Sequence, residues 1–108
     1  MSYDARITRA PDWAISDEVQ IPLEEWSAVA TSAGLIRARQ PGLFYAHDAR
    51  ETGDDASFEW ADGAITVRAP DHVTLGKMIE LANLLDAVVQ GDDGEEYSVT
   101  DSGQIVSS

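Results

Sequence analysis

The side chains that could do chemistry are carboxylates first and histidines second. His47 precedes Asp48, a pairing that in space would suit proton transfer, but sequence neighbours point apart and no third orienting group stands nearby. His72 falls at an expected helix start. Carboxylates gather with glycine twice, in Asp48, Glu51, Asp54 and Asp55 and in Asp92-Asp93-Gly94-Glu95-Glu96. A calcium loop needs ligands at positions one, three and five and a closing bidentate Glu, and neither cluster has that spacing. Turn chemistry accounts for both, since Asp and Gly tolerate the backbone conformations of tight hairpins. No Ser stands in a nucleophile elbow, no His-Glu-x-x-His run occurs, and no glycine-rich loop is arranged to cradle phosphate. A glycosidase-like carboxylate pair needs a cleft that raises one pKa, whereas these carboxylates read as exposed. The sequence therefore predicts a protein that is not an enzyme, with no catalytic residues, no cofactor and no metal site.

Charge is the stronger signal. The 108 residues carry 20 Asp and Glu against 7 Lys and Arg, a formal charge of −13. Such a surface repels phosphate backbones and anionic lipid, so nucleic acid and membranes are excluded as partners. Its attractive partner is a basic protein. The absence of cysteine excludes disulfides and thiol chemistry. No apolar run approaches the roughly 20 residues that span a bilayer. Met1-Ser2-Tyr3-Asp4 lacks the basic and apolar regions of a secretory signal, so a cytoplasmic location is expected. Between Arg9 and Arg37 the chain holds Asp12, Asp17, Glu18, Glu24 and Glu25 with no basic residue, and after Lys77 it is again purely acidic. The total exceeds the magnitude of about 2–8 that favours solubility in a small domain, and concentrated like charge costs stability. A use for the field explains it better than solubility does.

The elements that must position these groups follow from periodicity. Tyr3, Ala5 and Ile7 alternate with polar residues as in a half-buried strand. Residues 12–20 read as an irregular acidic connection. A helix is predicted from Pro22, with Leu23, Trp26, Val29, Ala30 and Ala33 facing the core and Gly34 as its stop. Leu35–Ala38 and Leu43–Ala46 read as short strands. Phe58 and Trp60, the turn Asp62-Gly63, then Ile65 and Val67 form a hairpin with a type I′ turn. A second helix follows Asp71, with Leu75, Met78, Ile79, Ala82 and Leu85 on one face, Leu81 and Leu84 widening the stripe, and Gly76 placed for close packing against a neighbour. A final hairpin pairs Ala87–Gln90 with Glu95–Val99, and the tail from Asp101 to Ser108 is expected to fray. The expected architecture is one α+β domain over residues 1–108, in the order β-α-β-β-β-β-α-β-β, with two helices packed on one face of a mainly antiparallel sheet.

Several runs carry a resemblance. Tyr3-Asp4-Ala5-Arg6-Ile7-Thr8-Arg9-Ala10 with Trp13, Leu23-Glu24-Glu25-Trp26, Phe58-Glu59-Trp60-Ala61-Asp62-Gly63 and Val89-Gln90-Gly91-Asp92-Asp93-Gly94-Glu95-Glu96-Tyr97 are the clearest. In these the chain resembles a group of small acidic bacterial proteins, many encoded beside polymorphic or contact-dependent toxins. The resemblance implies an immunity protein that binds a cognate toxin and occludes its active or substrate-binding site. The stretch Arg37–Ala56 departs from the shared pattern, which makes it the expected place for partner-specific contacts. The predicted toxin-binding residues are Asp48, Glu51, Asp54 and Asp55, then Asp92, Asp93, Glu95 and Glu96, with Trp13, Phe44 and Tyr45 as aromatic anchors. The alternative is an acidic adaptor or regulatory module that binds a protein unrelated to toxins.

Overall fold

A computed structural model describes residues 4–10, 13–45, 57–68, 72–91 and 94–107. The strands are β1 (Ala5–Thr8), β2 (Ile36–Arg37), β3 (Leu43–Tyr45), β4 (Ser57–Ala61), β5 (Ala64–Val67), β6 (Val88–Gly91), β7 (Glu96–Val99) and β8 (Ile105–Ser107). The helices are α1 (Leu23–Ser32) and α2 (His72–Leu84), with a 3₁₀ helix at Trp13–Glu18. All the strands join one antiparallel sheet in the order β2-β3-β4-β5-β1-β6-β7-β8. The fold is α+β, and β1 lies between β5 and β6.

Strand alternation sends one set of side chains to the helices. Ile7 pairs with Ile65 and Val89, and Phe44 with Phe58. These residues, Trp26 and Ala30 of α1, and Met78, Leu81 and Ala82 of α2 belong to a single buried core cluster. The Trp26 ring meets Phe44 edge-on at 5.6 Å between centroids, and its Nε1 donates to the Gly42 carbonyl at 2.9 Å. A buried Trp N–H that finds an acceptor avoids a desolvation cost of about 1–3 kcal/mol. The Asp62-Gly63 turn has φ of +50° and +83°, the left-handed pair that a type I′ hairpin requires.

Helix ends follow the local chemistry. Pro22 precedes α1 with extended backbone and no side-chain cap, and Glu24 and Glu25 occupy the first turn. At the other end Gly34 takes φ +84° and the Leu35 N–H reaches the Ala30 carbonyl at 3.0 Å, a Schellman-type closure. Helix α2 ends through Asp86 at φ +54°, with the Ala87 N–H bonded to the Ala82 carbonyl at 2.8 Å.

Three expectations change. Residues 13–18 form a 3₁₀ helix with a kink at Ile15, where an irregular connection was expected. The C-terminal stretch does not fray among its described residues, because Ile105–Ser107 pairs with β7 in register Val99↔Ile105. The turn that returns it is closed by the Thr100 N–H to the Gln104 carbonyl at 2.8 Å and places Gly103 at φ +86°. Gly76 does not serve a close approach: a methyl there would meet only Ile105 Cδ1, at 3.9 Å.

Candidate functional site

The antiparallel order puts the acidic segments at two ends of the sheet. β3 leaves and β4 enters at one end, opposite each other at Tyr45↔Ser57. β6 leaves and β7 enters at the same end, since Ala5 is paired with both Val67 and Gly91. The two predicted acidic clusters are therefore anchored on strands that share an end. Asp48, Glu51, Asp54, Asp55, Asp92 and Asp93 themselves lie outside the described residues. Glu96 is exposed, while Glu95 is half-buried and its Oε1 has no hydrogen-bond partner.

The aromatic candidates separate. Phe44 is a correction: it is 1% exposed and pairs with Phe58 on the core face, so its ring has no surface with which to anchor a partner. Arg37 lies above that ring with Cζ 5.7 Å from the centroid, which covers it further. Tyr45, one residue on, points to the opposite face and is half-buried. It lines a shallow hollow of about 290 Å³ with Ser57, Glu59, Thr66 and Arg68. The backbone of Trp13 opens the 3₁₀ helix; its side chain lies outside the described residues.

The opposite end holds residues outside the predicted toxin-binding set. The 3₁₀ helix packs against β1 and β5, and the strand of chain after it is tied to the β4–β5 turn. The Ile21 N–H donates to the Gly63 carbonyl at 2.9 Å, Trp60 Nε1 donates to the Ile21 carbonyl at 2.7 Å, and Gln20 Nε2 donates to the Asp17 carbonyl at 3.0 Å. This lattice holds Asp17, Glu18 and the turn residue Asp62 on one rigid ledge, all exposed. Ile15 and Val19 are exposed on the same segment, at 39% and 44%. Asp17 and Glu18 make no side-chain hydrogen bond or ion pair with another described residue. The cation that precedes the segment, Arg9, is engaged elsewhere: its Nε donates to the Leu85 carbonyl at 2.8 Å and its guanidinium pairs with Glu25.

One signal could have found the ledge. Ile15 and Val19 fit neither the strand nor the helix periodicity, yet they sit inside one of the two long basic-free acidic stretches. Apolar residues without a place in the core pattern are the ones to look for on a surface.

Chemically, the ledge offers the carboxylates of Asp17, Glu18 and Asp62. Among the described residues no group of three His, Asp or Glu side chains converges as a metal site. No helix among them is long and apolar enough to cross a membrane. No family model, curated protein or solved structure matches the chain.

Proposed function

We propose that this protein is a cytoplasmic immunity protein, which neutralises a basic bacterial toxin by covering the cleft where that toxin holds its substrate. The observation that carries this reading is a hydrogen-bonded end of the sheet with exposed carboxylates, where the cation that precedes them in sequence, Arg9, is already engaged by Glu25 and Leu85. A toxin that acts on nucleic acid or a nucleotide needs a basic cleft, and such a cleft is the natural complement of a −13 domain. Opposite charge would steer the encounter, raising association towards about 10⁸ M⁻¹s⁻¹ at low salt. The resemblance to small acidic proteins encoded beside toxins points the same way.

Co-expression with the product of the adjacent reading frame tests this. The toxic neighbour should arrest growth alone, and this protein should restore it. A neighbour that is harmless on its own sinks the immunity reading and returns the protein to the role of an acidic adaptor. Association measured across ionic strength tests the charge mechanism, which an invariant rate would refute.

A further inference from the structure

We infer that the ledge built by the 3₁₀ helix Trp13–Glu18, Val19 and the Asp62-Gly63 turn is the docking surface for a basic partner protein, with Ile15 and Val19 as its apolar contacts. This assignment rests on the function proposed above and names the face that performs it. Interfaces place a few apolar groups at the centre of contact and charged groups around them, and the ledge has that composition. Ile15 and Val19 bracket Asp17 and Glu18 along the segment, and Asp62 lies on the turn to which the segment is bonded.

Charge decides what can cover the ledge. A second copy would bring the same carboxylates against Asp17 and Glu18, whereas a basic surface would neutralise them. Three of the other exposed apolar residues lack this imbalance, while Val99 and Val106 on the β7–β8 hairpin share it and form the rival surface that the test separates. Val73 and Leu84 stand on α2 on either side of the Lys77–Glu80 ion pair, and Ile36 adjoins Arg37. The ledge is also preorganised. Two hydrogen bonds at Ile21 hold its backbone to the sheet end, and the Gln20 side chain braces the Asp17 carbonyl within the segment, so little ordering cost would attend binding.

The test uses the full chain and a synthetic amphipathic Lys-Leu peptide, followed by residue-resolved amide NMR, with a Lys-Ser peptide of equal charge as control. Shifts should centre on residues 15–19 and 62–63, and the Lys-Ser peptide should bind more weakly. Ile15→Ser combined with Val19→Ser should weaken the Lys-Leu peptide at least about tenfold while the variant keeps a cooperative thermal transition, because neither side chain belongs to the buried core. Shifts centred on Glu95–Val99 or spread over the whole surface overturn the assignment, as does a double variant that binds within about twofold of the parent. In co-expression, loss of protection by the double variant supports the ledge. Full protection by that variant overturns the ledge and leaves the immunity reading standing. Failure of the parent to protect overturns the immunity reading, and the peptide footprint then decides the ledge alone.

Discussion

Gly63→Ala probes the junction on which the ledge depends. Gly63 has φ +83°, and a methyl added there would lie 2.5 Å from Gln20 Cγ, 2.7 Å from its Cβ and 2.8 Å from its Cα. The Cγ could swing away, but the Cα is backbone, held next to the Ile21 N–H bond to Gly63 and the Trp60 bond to Ile21. The left-handed conformation alone costs Ala about 1–2 kcal/mol. Overpacking against backbone adds about 1–3 kcal/mol, so the total is about 2–5 kcal/mol. Gly34→Ala supplies the control, since Gly34 has nearly the same φ of +84° with nothing within 4 Å of the added methyl. It should show the conformational cost only. Urea denaturation of both variants, at unchanged slope, gives the difference directly. Equal losses in the two variants would mean that residues 20 and 63 do not touch as described, and the ledge would then lack its rigid base.

Other outcomes follow from single contacts. Gly76→Ala should stabilise the protein by about 0.5–1 kcal/mol, because the methyl meets only Ile105 Cδ1 at ordinary contact and the helix gains propensity; a loss in thermal denaturation would contradict the geometry. Arg9→Met should cost about 1–2 kcal/mol through the Leu85 carbonyl, whereas Glu25→Gln should cost at most about 1 kcal/mol, because the exposed ion pair is screened. Equal effects in denaturation would refute that division. Ile105→Asp should destabilise by about 1–3 kcal/mol and lower amide protection in β7, while the exposed Val106→Asp should stay within about 0.5 kcal/mol. Matching losses at both positions would show that β8 does not alternate as its register requires.

Much of the fold was legible because periodicity reports burial. The Phe58–Val67 hairpin carries its turn signal in Asp62-Gly63, and both helices carry apolar stripes that the structure buries, save Leu84, which faces solvent at 63% exposure. Strand order was not legible, since local alternation does not say that β1 inserts between β5 and β6. β8 escaped notice because its strand is only three residues long, and its turn signal, Asp101-Ser102-Gly103, lies in a polar tail. Phe44 was misplaced for a related reason: in a three-residue strand the pattern is too short to tell which of Phe44 and Tyr45 faces inward. The register with Phe58 decides it. The acidic clusters in turns drew attention by density, whereas the ledge combines residues 15–19 with residue 62, which only the tertiary hydrogen bonds bring together.

The structure also sorts the acidic residues by the work each does in folding, and that sorting makes a last prediction. Glu24 and Glu25 lie at the positive end of α1, which has no side-chain cap, and each is favoured there by about 0.3–1 kcal/mol. Glu80 pairs with Lys77, while Asp62 and Asp86 hold left-handed turn positions that Asp tolerates better than most residues. Asp17 and Glu18 have no such occupation: they are exposed, follow the kink in a 3₁₀ helix, and their side chains bond no other described residue. In a −13 domain their charge adds self-repulsion without a compensating local contact. Asp17→Lys combined with Glu18→Lys should therefore leave stability unchanged or raise it by up to about 1 kcal/mol, while slowing association with a basic partner and flattening its salt dependence. A marked loss of stability would show that the fold itself needs these carboxylates. An unchanged association rate in a stable variant would remove them from the encounter surface. Only stability kept and association slowed together fit residues retained for recognition.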